Sequence, residues 1–138
     1  MDNAMPSLKT LLQLPCGWQY GRQVISRDGI TLHLRGKRKT ALCPECLKRS
    51  DSVHSCRQRR IQHLPCSGQA LWLIFAIRHW YCRNPACPRK IFAESLAPFA
   101  GSRQQSSLAL QNLQRQLGLI AGGEAGRRAA TAVGLCSS

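Results

Sequence analysis

The chain has 138 residues and a formal charge of +14, from 20 Lys and Arg against 6 Asp and Glu. That length suits one domain, or one small domain with an appendage, and the longest apolar run, residues 70–77, is far too short to cross a membrane. Residues 35–94 carry 13 basic and 3 acidic side chains. This exceeds the roughly 2 to 8 net charges usual for a small domain and points to a polyanionic partner, nucleic acid first.

Taken in order, Leu8, Leu11, Leu12 and Leu14 predict a short amphipathic helix within Met1 to Leu14, stopped by Pro15. No long apolar core marks this stretch as a secretory signal, so a reducing cytosol is the expected compartment. Residues 18–35 predict a β-hairpin: a strand over Gln23 to Ser26, an Asp28-Gly29 turn, and a half-buried strand over Ile30 to Leu34 with His33 on its polar face. Gly36-Lys37-Arg38-Lys39 is a basic turn leading into Cys43-Pro44-Glu45-Cys46.

Residues 52–64 predict extended chain bearing Arg57, Arg59 and Arg60, and residues 64–68 a turn from their Pro and Gly. Residues 69–81 predict the strongest strand. Leu71, Leu73, Phe75 and Ile77 lie on one face, and Trp72, Ile74 and Ala76 on the other. Apolar residues on both faces imply a central strand covered twice, or one face kept for a partner. A second cysteine pair follows at Cys82 and Cys87, then an extended exit through Arg89 and Lys90, and a linker over residues 98–102.

Beyond Ser102 the apolar period becomes helical at Leu110, Leu113, Leu117 and Ile120, with Gly122-Gly123 as a stop. A second helix is predicted from Glu124 to Val133, and Leu135 to Ser138 would begin a further turn. Two helices joined by a tight turn fit either the opening of a helix-turn-helix or a plain helical hairpin.

The two cysteine pairs carry the sharpest signal. Cys43, Cys46, Cys82 and Cys87 predict one structural zinc, with all four positions filled by thiolates and none left for a substrate. A rubredoxin-like iron site and a redox dithiol are the alternatives, neither supported by other features of the chain. The 35 residues between the pairs exceed the usual interval of about 15 to 20, which a strand going out and returning as a hairpin would explain. Cys16, Cys56, Cys66 and Cys136 lie outside the pairs. Cys66 near His63 suggests a second metal site less readily than a buried thiol. The acidic residues Asp2, Asp28, Glu45, Asp51, Glu94 and Glu124 are scattered, so the clustered carboxylates of a two-metal nuclease are not expected.

The run C-P-E-C, V-H-S, L-P-C-S-G and R-H-W-Y-C-R-N-P-A-C-P-R-K-I-F-A-E, from Cys43 to Glu94, resembles the N-terminal zinc-binding domain of ISL-three family insertion-sequence transposases. Residues 117–135 resemble the helix-turn-helix that follows it. The resemblance implies the same four zinc ligands, recognition of the element's inverted repeats in double-stranded DNA, and a catalytic domain further along, making this chain a fragment.

The expected architecture is α+β: a zinc-stapled antiparallel sheet module over 1–97, then a helical segment over 98–138. The expected function is non-catalytic DNA binding by part of a bacterial transposase, in the cytoplasm and nucleoid. Expected phosphate contacts are Lys37, Arg38, Lys39, Arg57, Arg59, Arg60, Arg78, Arg89 and Lys90. A homodimer or the full transposase is a further expected partner. A zinc ribbon that binds RNA, or one that docks protein through residues 71–77 and Trp80, is the alternative.

Overall fold

The computed structural model describes residues 8–132. Part of the expected N-terminal helix and the expected turn from Leu135 onward lie outside the described residues, as does Cys136. One turn of helix, Leu8–Leu11 (α1), opens the described chain. Strands Trp18–Ser26 (β1) and Gly29–Gly36 (β2) then form an antiparallel hairpin. Ala41–Leu42 (β3) and Arg49–Ser50 (β4) make a short ladder of their own. Val53–Cys66 (β5) and Gln69–Tyr81 (β6) form a long second hairpin, and Ile91–Ala93 (β7) adds to β6. Helices Leu108–Ala121 (α2) and Gly123–Ala132 (α3) complete the α+β fold.

The main sheet runs β1-β2-β6-β5. Its central join is parallel, from Ile30 opposite Leu71 to Arg35 opposite Ala76, where the sequence suggested antiparallel pairing throughout. A parallel join needs a long crossover, and residues 37–68 supply it. β7 pairs beyond the end of β2, Trp80 facing Phe92, so it prolongs that flank of β6. The second hairpin turns more tightly than residues 64–68 suggested. Pairing persists to Cys66 opposite Gln69, and Ser67 and Gly68 take φ of 52° and 75°. Two positive φ values give a type I′ turn, whose twist suits the flanking strands. Pro65 sits at a register break in edge strand β5, where a missing N–H is tolerated.

Alternation along β6 divides the interior into two. Leu71, Leu73, Phe75 and Ile77 enter the larger cluster with Leu32, Leu34, Ile61, Trp18 and Leu96. Trp18 meets Phe75 edge-on at 5.0 Å. Trp80 lies on the opposite face, where it joins Phe92 and Cys43 in a second cluster.

The segment expected as a linker is packed instead. Ala100 is buried in the larger cluster and Phe99 packs against it. Residues 105–107 run along the free edge of β5: Gln62 N–H donates to Gln105 O at 2.9 Å and Ser107 N–H to Gln62 O at 2.9 Å. Pairing of backbone groups at a sheet edge explains why this stretch is held although it is poor in apolar residues.

Ser107 then caps α2, its Oγ accepting from Leu110 N–H at 3.2 Å. Buried His63 lies beside the cap. Its Nδ1 is 2.8 Å from Ser107 Oγ and its Nε2 is 2.7 Å from Leu12 O. A carbonyl only accepts, so Nε2 carries the proton, and in the neutral ring Nδ1 accepts from Ser107. Both ring nitrogens are thus engaged, and His63 acts as a strut between the N-terminal segment and α2 rather than as a metal ligand with Cys66. Further along α2, Leu119 and Ile120 are 80% and 84% exposed.

Two outcomes follow. Gly29 takes φ of 128°, and a Cβ there would lie 2.3 Å from Ala70 O. Gly29→Ala is expected to destabilise the protein by about 2 kcal/mol or more, read as a lower denaturant midpoint. Burial lowers the His63 pKa, only partly offset by hydrogen bonding to the Leu12 and Gln13 backbone. The unfolded chain therefore takes up the proton first, and stability is lost as pH falls below the unfolded value of about 6.5. Between about pH 7 and 5.5, zinc-loaded His63→Gln should show a shallower loss than wild type.

Candidate metal centre and its basic surroundings

The first cysteine knuckle is built by backbone. Cys43 N–H donates to Lys48 O at 3.0 Å and Leu47 N–H to Cys43 O at 2.9 Å, with Leu47 at φ of 61°. The second is tied by Cys82 N–H to Lys90 O at 2.8 Å and Cys87 N–H to Asn84 O at 3.1 Å. The Asn84 side chain also accepts from Ala86 N–H at 3.1 Å, an Asx turn that suits its position before Pro85. The β5–β6 hairpin brings the knuckles together. The 35 residues between the pairs are therefore mostly an outgoing and a returning strand.

All four sulfurs lie within 4.8 Å of one another, with Cys43 to Cys87 at 3.9 Å and Cys46 to Cys82 at 3.7 Å. A zinc–sulfur bond of about 2.3 Å in tetrahedral geometry sets sulfurs about 3.8 Å apart. A disulfide would need about 2 Å. Cys43 is fully buried, and Trp80 and Phe92 form the apolar floor. Such a closed four-thiolate set holds one zinc ion structurally.

The thiols titrate unequally. The Lys48 backbone N–H, aided by Asn84, Cys82 and Cys43, outweighs burial and lowers the Cys46 pKa to about 6. Cys87 receives the Arg89 backbone N–H, but burial and the neighbouring thiols push it up to about 12. Cys82 is raised too: burial and the Cys46 and Cys43 thiols outweigh the Asn84 backbone N–H. Four sulfurs this close cannot all ionise unaided, and a divalent cation supplies the missing charge.

The cations singled out in the sequence occupy several surfaces. Arg38 and Lys39 line an open groove of about 340 Å³ with Thr40, Leu42 and Arg49. Arg49 escaped sequence reasoning because only the β3–β4 ladder, with Leu42 opposite Arg49, brings it back to the basic turn. Lys37 and Lys90 are exposed. Arg57, Arg59 and Arg89 border a second groove of about 410 Å³ with His79 and Pro44. Within it Arg59 donates to Gly101 O and, at 2.7 Å, to Gln104 O, while Arg89 lies 3.9 Å from Glu45. Arg78 is held by Glu94, Nε to Oε1 at 2.7 Å, and lies over the Trp80 ring at 4.7 Å. Arg60 projects to the other side of the sheet from Arg59 and covers Trp72 at 3.8 Å.

Residues 39–87, from the basic turn to the fourth cysteine, match the family described as zinc-finger of transposase IS204/IS1001/IS1096/IS1165. No curated protein and no solved structure matches the chain. Residues 39–87 are thus similar to a transposase-type zinc finger, and the four converging cysteines within them are placed to hold a metal ion. Among the described residues no helix is long and apolar enough to cross a membrane.

Metal analysis should find one zinc per chain. Cys46→Ser should weaken zinc binding by orders of magnitude, because structural zinc contributes on the order of 10 kcal/mol to folding. Chelation should expose Trp80 and shift its fluorescence to the red; an unchanged spectrum would show that the knuckles close without metal.

Proposed function

We propose that this chain is a non-catalytic DNA-binding part of a bacterial transposase that recognises transposon-end duplex DNA through a zinc-stapled basic surface. The observation that carries the reading is the junction at residues 36–43. The basic turn Lys37-Arg38-Lys39 runs directly into β3 and the first ligand, and the segment that matches a transposase zinc finger begins at its last residue, Lys39. Zinc keeps that turn beside Arg49 across an open groove, so several cations face one strip of surface before any DNA arrives. Preorganised cations attract phosphate with less ordering cost, and their contacts set register and orientation.

The remaining expected contacts are assigned by their freedom. Exposed Arg57 and Lys90 are available to phosphates, with Lys37, Arg38 and Lys39. Arg59, Arg78 and Arg89 have protein partners and supply positive field beside the grooves. The helical pair α2–α3, with Glu124 bound to Arg127 at 2.5 Å in the first turn of α3, fits the opening of a helix-turn-helix and adds to DNA recognition.

The carboxylates support binding without cutting. Glu94 is committed to Arg78, Glu45 faces Arg89, and Glu124 holds Arg127 and Arg128. Among the described residues, the converging group of three or more potential metal ligands is the four cysteines. Such saturated thiolate sites do not activate water.

Titration of duplex DNA against salt tests the reading. Affinity should fall with a log–log slope of about −0.9 per phosphate contact. Replacing Arg38 or Lys39 by Ala should reduce that slope by roughly one and weaken binding to all sequences alike. A salt-independent affinity, or unchanged binding by the double variant, would remove the proposal.

A further inference from the structure

The sheet face that carries Trp80 is covered by the zinc knuckles only at one end. Towards the middle, Trp72, Ile74 and Ala76 are half-buried and belong to neither apolar cluster. Their surroundings are cationic. The register lines up His33, Ile74 and Arg60 across three strands, with Arg22 Nη2 3.4 Å from His33 Nε2 on the fourth. In the next row Arg35 flanks Ala76, and the Gln19 amide oxygen accepts from Arg35 Nε at 2.8 Å. Arg60 lies over Trp72 at 3.8 Å. The four long strands β1, β2, β5 and β6 contain no Asp or Glu at all.

We propose that this open face binds an unpaired DNA strand, with bases stacked on Trp72 and its Arg60 guanidinium and with phosphates held by Arg22 and Arg35. The charge selects a polyanion rather than a second copy of this equally basic chain. The flat aromatic–guanidinium platform selects unpaired bases, because paired bases in a duplex keep their π-faces covered. Arginine suits both tasks: its plane stacks and its edge reaches phosphate. The assignment to DNA rather than RNA rests on the proposed function above; the stacking chemistry does not. The groove of Arg38, Lys39 and Arg49 is lined by none of Trp72, Arg60, Arg22 and Arg35, so the two surfaces are testable apart.

The test uses the zinc-loaded chain and three fluorescein-labelled probes of equal length: oligo-dT, oligo-U and a duplex. Trp18 and Trp80 are buried, at 6% and 1% exposure, which leaves Trp72 as the tryptophan a stacked base would quench. Oligo-dT should quench the intrinsic fluorescence, and Trp72→Ala should abolish the quench. That variant should lower oligo-dT affinity roughly ten- to hundred-fold, the usual loss per stacked base, and change duplex affinity less than two-fold. Trp72→Phe should retain most of the affinity, and Arg60→Ala should lose it. Since Trp72 and Arg60 lie outside both buried clusters, these variants should keep one zinc and an unchanged circular dichroism spectrum. No binding of oligo-dT, absence of quenching, or unchanged affinity in Trp72→Ala overturns the inference even where duplex binding persists. Preference for oligo-U overturns the assignment to DNA. Loss of duplex binding on replacing Arg38 and Lys39, with oligo-dT binding intact, confirms the separation of the two surfaces.

Discussion

Four thiolates converging above Trp80 hold the protein's least self-sufficient part in place. β3 and β4 contribute two residues each, and β7 three. Strands so short do not persist alone. Their anchors are the metal, a few backbone hydrogen bonds and the shared floor of Trp80 and Phe92. Trp80 of that floor lies on β6 and Phe92 on β7, which pairs with it, so the metal lobe is clamped to the strand that forms the centre of the main sheet. Any cation carried by the lobe, Lys37 to Lys39 and Arg49 above all, inherits its position from this clamp.

β6 also explains how one sheet supports two unlike surfaces. Its odd-numbered side chains face the larger core, where Phe75 meets Trp18 and Leu96, Phe99 and Ala100 close the cover. Beyond buried Ala70, its even-numbered side chains run from half-buried Trp72 to buried Trp80. The same face therefore passes from open platform to metal lobe along one strand. Arg78 stands at the transition and is held by Glu94, one of the few carboxylates in a basic region. Without that partner a half-buried guanidinium would be poorly compensated.

The helical end is attached differently. Backbone pairing of residues 105–107 with β5, the Ser107 cap and the His63 strut fix the start of α2. Leu119 and Ile120 further along remain open. Cohesion thus declines along α2, from a cap tied into the sheet to a surface-exposed end.

Much of this was legible in the chain itself. The cysteine spacing points to a four-thiolate metal site because thiolate pairs on tight turns allow few alternatives. The hairpins follow from alternation, from Asp28-Gly29 and from the Pro and Gly of residues 64–68, and the helix stop follows from Gly122-Gly123. These signals are local, fixed by backbone dihedrals and side-chain period. Tertiary structure alone decided the rest. The parallel join of β2 to β6 depends on a long-range register that no local pattern encodes. The packing of residues 98–102 depends on the larger core, which takes in Phe99 and Ala100. The return of Arg49 to the basic turn, the separation of adjacent Arg59 and Arg60 onto opposite faces, and the half-covered state of Trp72 arise only once strands pair, because burial and charge clustering are properties of distance in space rather than along the chain.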